Sequence, residues 1–176
     1  AVGQPGGGHT ALALALAGRI PLDHGSVTLG DDTNITLLQR SVMLVDVPGV
    51  TEPEGTIALH TIVGEELAMA GQKASRGAVR HWLEQNDLAD HHSSAMDDVP
   101  PLLRIIALSR LATMRAHSRF LVLAYPERHG VPPADWLHRG RQLASEGHGV
   151  LITASAAVDT TFNGPVFPIG DEGTTR

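Results

Sequence analysis

Eight consecutive residues near the start of the chain have the composition of a phosphate-binding loop. The segment GQPGGGHT fits the frame GxxxxGK followed by Ser or Thr at every fixed position except the lysine, which is His9. Glycines allow successive backbone N–H groups to turn toward one phosphate, and the helix that follows adds the positive end of its dipole. The predicted nucleotide-binding residues are Gly3, Gln4, Pro5, Gly6, Gly7, Gly8, His9 and Thr10.

The last two residues of this loop determine its expected affinity and cofactor. Thr10 stands where a hydroxyl would bind Mg²⁺ when a nucleotide is present, so it is the predicted metal contact. A lysine would bring a full charge to the β and γ phosphates, whereas imidazole, with an ordinary pKa of about 6.5, is mostly neutral at about pH 7. We therefore expect ATP or ADP, with Mg²⁺, to bind weakly. The alternative is a glycine-rich turn without a ligand.

The composition indicates one globular domain over residues 1–176 and argues against several classes of function. The net charge is -6 at pH 7, and the 13 Lys and Arg residues are scattered, which argues against nucleic-acid binding. The absence of cysteine excludes disulfides and zinc–thiolate sites. The longest apolar run, residues 11–17, is far shorter than the about 20 residues that cross a bilayer. The 10 histidines form no HExxH pattern, so we predict no histidine metal site.

The elements that would position the loop alternate along the chain. Strands buried on both faces are predicted from nearly continuous apolar runs at residues 41–46, 119–124 and 149–153. Shorter strands are predicted at residues 1–2, 26–29 and 165–169. Helices are predicted at residues 10–18, 56–70, 75–85, 101–114 and 133–145. This alternation predicts an α/β fold, with a mostly parallel sheet flanked by helices on both faces, similar to that of P-loop NTPases.

Three longer segments resemble the ATP-binding subunit of ABC transporters, so the resemblance extends over nearly the whole chain. The segments are LAGRIPLDHGSVTLGDD, WLEQNDLADHH and IIALSRLATMRAHSRFLVLAYPE, which begin at Leu16, Trp82 and Ile105. The resemblance implies a single nucleotide-binding domain, with a helical segment over roughly residues 56–115 inserted between core strands. The family's N-terminal β-subdomain and adenine-stacking aromatic residue have no counterpart, so we expect a domain truncated at its N-terminus.

The positions that would carry ATP hydrolysis in this family hold other residues. The magnesium-binding aspartate of the Walker B strand falls on Ala124 and the general-base glutamate on Tyr125, whereas Glu127 lies further along the chain. Water attack on the γ-phosphate needs a metal ion and a group that orients the water, and neither alanine nor tyrosine serves well. The signature sequence falls on residues 98–102, where two prolines lack the N–H groups that would contact a partner's nucleotide.

Three further motifs of the family also lack their functional residues. The Q-loop glutamine aligns with Asp46 or Val47, the switch histidine with Ala154 or Ser155, and the D-loop with residues 128–132. The resemblance therefore implies a degenerate ATP-binding domain, a pseudo-ATPase with weak or absent hydrolysis. The implied partners are a second ATP-binding domain, in a homo- or heterodimer, and a transmembrane transporter subunit. We expect an accessory or regulatory subunit in the cytoplasm or at the inner face of the membrane.

Two alternative interpretations are left open by the sequence. A noncatalytic interaction scaffold would use the same fold without binding nucleotide. A dynamin-like GTPase is the other alternative, because LVDVPG at residues 44–49 resembles the turn by which that family senses a γ-phosphate. The NKxD or TKxD motif that reads guanine is missing, however, since no lysine follows Lys73.

Overall fold

Within the residues that the structure describes, 1–158 and 164–170, five parallel strands form one sheet. The structure is a computed structural model. The strands are β1 (Val2–Gly3), β2 (Val42–Val45), β3 (Phe120–Ala124), β4 (Gly149–Ser155) and β5 (Pro168–Ile169), and their order in the sheet is β2-β3-β4-β1-β5. The α-helices are α1 (His9–Leu16), α2 (Ile35–Ser41), α3 (Leu59–Met69), α4 (Arg76–Gln85), α5 (Pro101–Thr113) and α6 (Pro133–Ser145). Short 3₁₀ helices cover Ala89–His91, Met96–Asp98 and Pro126–His129.

Both faces of the sheet are apolar, because successive side chains of a strand point to opposite sides. Val42 and Leu44 of β2, with Val122 of β3, pack on one face against α1. Leu121 and Leu123 of β3 belong to the larger core on the other face, which includes residues of α3, α5 and α6. Helices therefore cover both faces, and the predicted α/β fold with a mostly parallel sheet is confirmed.

Three helices, α3 to α5, lie between β2 and β3 in the chain, where the sequence predicts a helical segment. In α4 the Ser75 side chain caps the helix by accepting a hydrogen bond from the Ala78 N–H at 3.3 Å, and Val79 and Leu83 are buried. α5 begins at Pro101, where a missing N–H is tolerated, and it contacts both β2 and β3. None of the helices in the described ranges has the length and hydropathy to cross a bilayer.

One local prediction is wrong and one helix is missed. Residues 26–29 are not a strand, since Leu29 makes a single antiparallel bridge to Asp32 and no described strand pairs with this segment. The helix α2 begins after Asn34, whose Oδ1 accepts a hydrogen bond from the Thr36 N–H at 2.9 Å. A helix of 7 residues is too short to show a clear apolar period, so its cap is the main signal in the sequence.

Candidate functional site

Four glycines shape the predicted phosphate loop, each for a geometric reason. Gly6 and Gly8 have φ angles of 84° and 98°, which residues with a Cβ rarely adopt. Gly3 lies in β1 beside β5, and a Cβ there would collide with the Ile169 carbonyl oxygen. A Cβ on Gly7 would stand 2.9 Å from a backbone oxygen of the loop itself. The loop therefore needs glycine at these positions, and it leads from the carboxyl end of β1 into α1.

Several backbone donors at the junction of the loop and α1 have no acceptor among the described residues. α1 has its N-cap at Gly8 and begins at His9. Within the described part of the chain, no acceptor binds the backbone N–H groups of Gly6, Gly8, His9, Thr10 and Ala11. Donors of this kind at a helix N-terminus can bind the oxygens of an anionic group. The geometry of the loop is thus compatible with phosphate binding.

The side chain of His9 is turned into the protein, where both ring nitrogens have partners. The residue is only 1% exposed. Its Nε2 lies 3.0 Å from the Ala154 carbonyl oxygen, and its Nδ1 is hydrogen-bonded to the Tyr125 hydroxyl. Because a carbonyl oxygen only accepts, Nε2 carries the proton and Nδ1 accepts from the hydroxyl. The backbone N–H of His9 is therefore its remaining donor for a phosphate, whereas Gln4 and Pro5 of the loop are exposed.

Tyr125 follows β3 directly and has a left-handed backbone conformation with a φ of 49°. Its ring lies 4.4 Å from the ring of His9, measured between centroids. Burial, followed by the negative charge of Glu127, raises the pKa of the Tyr125 hydroxyl above its ordinary value. The hydroxyl therefore keeps its proton at neutral pH and donates it to His9 Nδ1. This pair joins the start of α1 to the end of β3.

Tyr125→Phe should lower the free energy of unfolding by about 1–3 kcal/mol, because it leaves the buried Nδ1 of His9 without a partner. Urea unfolding followed by circular dichroism measures this change. Ser145→Ala removes an exposed hydroxyl and should change stability by less than about 0.5 kcal/mol. Equal effects of the two substitutions would contradict a stabilising role for the Tyr125 hydroxyl.

The end of β3 lacks the acids that the family resemblance would place there. Ala124 has no ligand atom in its side chain, and it is buried. Glu127, the nearest acid after it, accepts a hydrogen bond from the Ser155 N–H through Oε1 at 2.6 Å. Its Oε2 is buried without a partner among the described residues. Glu127 thus holds the segment after β3 against the end of β4.

A group of charged side chains around a buried aspartate, which the sequence does not predict, lies at the carboxyl end of β2. Asp46 is 5% exposed, and its two carboxylate oxygens accept hydrogen bonds from Arg104 at 2.8 and 3.0 Å. Arg128 Nη2 lies 3.0 Å from Asp46 Oδ1, and His129 Nε2 lies 3.1 Å from Oδ2. Glu52 is joined to Arg128 at 3.0 Å. We call these five residues the Asp46 cluster.

The partners of Asp46 decide its charge. Burial by itself raises the pKa of the Asp46 carboxyl, but hydrogen bonds from His129 and Arg104 and the charges of Arg104 and Arg128 outweigh it. They hold the pKa well below its ordinary value, so the carboxylate is ionised at neutral pH. Arg104 and Arg128 are separated from Asp46 by 58 and 82 positions in the chain. No local sequence pattern connects residues so far apart.

The Asp46 cluster contains three potential metal ligands, but it is already neutralised by arginine. Donor atoms of Asp46, Glu52 and His129 all lie within 4.8 Å of one another. Arg104 and Arg128 bind the two carboxylates, so a cation would have to displace two guanidinium groups. The donor set therefore fits an internal ion cluster better than a metal site.

Comparisons with known proteins bear on the fold. No protein-family model matches the chain, and no curated protein is significantly similar to it. Among solved structures, the chain is similar to the ADP conformation of MJ1267, an ATP-binding cassette of an ABC transporter, with a TM-score of 0.57. The match covers 88% of this chain and 68% of that chain, at 14% sequence identity. The chain therefore has the fold of an ABC-type ATP-binding cassette.

Proposed function

We propose that this chain is a degenerate ABC-transporter-type ATP-binding domain, which binds nucleotide weakly and hydrolyses it little or not at all. One observation carries the proposal. Beside a loop with free backbone donors, the end of β3 presents Ala124 and Tyr125 in place of acids, and the Tyr125 hydroxyl is engaged with His9. Alanine offers nothing to a metal ion, and a tyrosine that is already hydrogen-bonded and protonated is a poor base for water.

The loop supports the binding part of this proposal. Its backbone N–H groups that have no acceptor in the described ranges, together with the dipole of α1, suit the phosphates of ATP or ADP. The half-buried Thr10 would hold Mg²⁺ through its hydroxyl only when a nucleotide supplies further oxygens. The complex should be weak, because a charge-assisted contact such as lysine to phosphate contributes about 1.5–3 kcal/mol and is missing here.

We further propose that the domain, residues 1–176, is an accessory or regulatory subunit of a membrane transporter. It would act on the cytoplasmic side, as a homo- or heterodimer with another ATP-binding domain and beside a transmembrane subunit. The similar solved structure is the cassette of an ABC transporter, which supports this assignment. The surface expected to contact a partner's nucleotide lies at the start of α5, where Pro100 and Pro101 have no N–H. Paired with an intact subunit, the chain would form at most one weak site.

A noncatalytic scaffold that binds no nucleotide is the second candidate, and the His9–Tyr125 pair favours it. This pair joins α1 to β3 and satisfies both ring nitrogens without any ligand. A dynamin-like GTPase is less well supported, because the Asp46 carboxylate is bound by Arg104 and Arg128 rather than free to sense a γ-phosphate.

Isothermal titration of the protein with ATP, ADP and GTP, each with and without Mg²⁺, separates these candidates. We expect weak binding of ATP and ADP and no phosphate release above the background of the buffer. The absence of binding by all three nucleotides would favour the scaffold. Binding of GTP alone would favour the GTPase.

Thr10→Val should remove any effect of Mg²⁺ on ATP affinity while leaving affinity without Mg²⁺ unchanged, because it deletes a hydroxyl at constant size. The same titrations measure this effect. Thr36→Val makes the same change on the exposed surface of α2, and it should alter ATP affinity neither in the presence nor in the absence of Mg²⁺. A Mg²⁺ effect that persists in Thr10→Val would contradict the assignment of Thr10.

A further inference from the structure

A groove with charged residues in its wall lies between α3 and α4, far along the chain from the phosphate loop. Its volume is about 590 Å³, which is within the range of small-molecule sites. Small residues, including Gly64 and Ala68 of α3, line part of its wall. The charged and ionisable residues that line it are His60, Glu65, Arg76, Arg80 and His92.

Two arginines that line this groove make no ion pair with any described residue. Arg76 and Arg80 are exposed, and within residues 1–158 and 164–170 neither makes an ion pair or a side-chain hydrogen bond. They are four positions apart on α4 and therefore lie on one face, where like charges repel each other. Arg76 is also the first residue of α4, at the positive end of the helix dipole. An anion held between them would relieve this repulsion.

Two stacked imidazoles line the same groove. The ring centroids of His60 and His92 lie 4.5 Å apart, and the angle between the two ring planes is only 6°. His60 Nδ1 donates to the His92 carbonyl oxygen at 2.9 Å, which leaves His60 Nε2 without a partner in the described residues. The stack therefore adds polar nitrogen atoms to the wall near the two arginines. Glu65 is the single carboxylate among the lining residues, so the groove is cationic on balance.

We propose that this groove binds the phosphate monoester group of a small organic anion. A phosphate dianion has three terminal oxygens and two negative charges, so it can accept hydrogen bonds from two guanidinium groups and balance both of their charges, whereas a single carboxylate balances only one. The volume of the groove leaves room for the organic part of the molecule. Because the groove is formed by α3 and α4, its ligand does not depend on the nucleotide proposed for the loop.

Calorimetric titration with phenyl phosphate tests the proposal on the whole chain. Removing the two charges in Arg76→Gln/Arg80→Gln should weaken binding by about tenfold per arginine. The matched control, Arg19→Gln/Arg40→Gln, makes the same change of net charge at exposed positions outside the groove and should bind like the wild type. Glu65→Gln, which removes the opposing charge, should tighten binding severalfold.

Histidine ring signals in NMR spectra locate the ligand independently. Phenyl phosphate should shift the signals of His60 and His92, assigned with His60→Gln and His92→Gln, in the wild type but not in Arg76→Gln/Arg80→Gln. Binding to phosphatidate-containing vesicles, lost in the same double variant, would support the proposal and identify a lipid headgroup as the source. Two results would overturn the proposal: undiminished binding of phenyl phosphate by Arg76→Gln/Arg80→Gln, and unshifted signals of both histidines in the wild type. A protein that binds a polyglutamate peptide but does not bind phenyl phosphate would overturn it as well.

Discussion

Asp46→Asn should lower the free energy of unfolding by about 3–5 kcal/mol, the cost expected when one partner of a buried ion pair is removed. Arg104 is 3% exposed, and Asp46 is its closest counter-charge, at 2.8 Å. Asparagine keeps the shape of the side chain but removes the buried, closest negative charge of the guanidinium and leaves only the more exposed Glu52 and Asp97, at 3.9 and 3.8 Å. Urea denaturation near neutral pH measures the change.

The same substitution should also alter the dependence of stability on pH. In the folded state the pKa of Asp46 lies well below its ordinary value of 3.8. A depressed pKa stabilises the protein above the unfolded value, and this contribution is lost as the pH falls. The difference in unfolding free energy between wild type and Asp46→Asn should thus be largest at neutral pH and should decrease below about pH 4. A difference that stays constant into the acid range would contradict this account.

Asp97→Asn is the matched control for Asp46→Asn. Asp97 also faces Arg104, at 3.8 Å, but its side chain is 75% exposed. An exposed pair of this kind contributes little, so the control should destabilise the protein by less than about 1 kcal/mol. Equal losses in the two variants would show that the burial of the Asp46–Arg104 pair is not the reason for its stabilising effect.

His9→Lys, Ala124→Asp and Tyr125→Glu together should convert the loop into a magnesium-dependent ATP site. The lysine supplies a charge to the phosphates, the aspartate a metal ligand and the glutamate a base for water. Because the side chains of His9 and Tyr125 are hydrogen-bonded to each other, replacing both at once does not leave one of them buried without its partner. ATP affinity in the presence of Mg²⁺ should rise about tenfold or more, and basal hydrolysis should rise above the wild-type background.

Calorimetry and a phosphate-release assay measure the two effects. The uncharged counterpart, His9→Gln with Ala124→Asn and Tyr125→Gln, should show neither gain. Position 124 is buried, so a carboxylate introduced there is costly unless a cation is bound beside it. Mg²⁺ with ATP should therefore raise the melting temperature of the charged variant. No gain in affinity by a folded charged variant would contradict the nucleotide site. A gain in affinity without hydrolysis would show that the losses at residues 98–102 and at the switch position dominate.

Much of the fold could be predicted from the sequence because it depends on local patterns. β2 and β3 are buried on both faces and β4 is partly buried on both, so each is an apolar run that can be recognised without its neighbours. The glycines of the loop were equally informative, since positive φ angles and close backbone approaches exclude other residues. Weak local patterns failed: residues 26–29 have the composition of a strand but no partner strand among the described residues.

The candidate site was decided by contacts between residues that are distant in the chain. The sequence placed His9 at the phosphate position, but its partners, Tyr125 and Ala154, lie 116 and 145 positions away. The same holds for the pairing of Asp46 with Arg104 and Arg128. The type of a side chain limits what it can bind, whereas its direction and burial depend on which strands and helices meet around it. The sequence therefore determined which functional side chains were present and which were missing. Only the tertiary structure decided which of those present are already hydrogen-bonded or ion-paired within the protein.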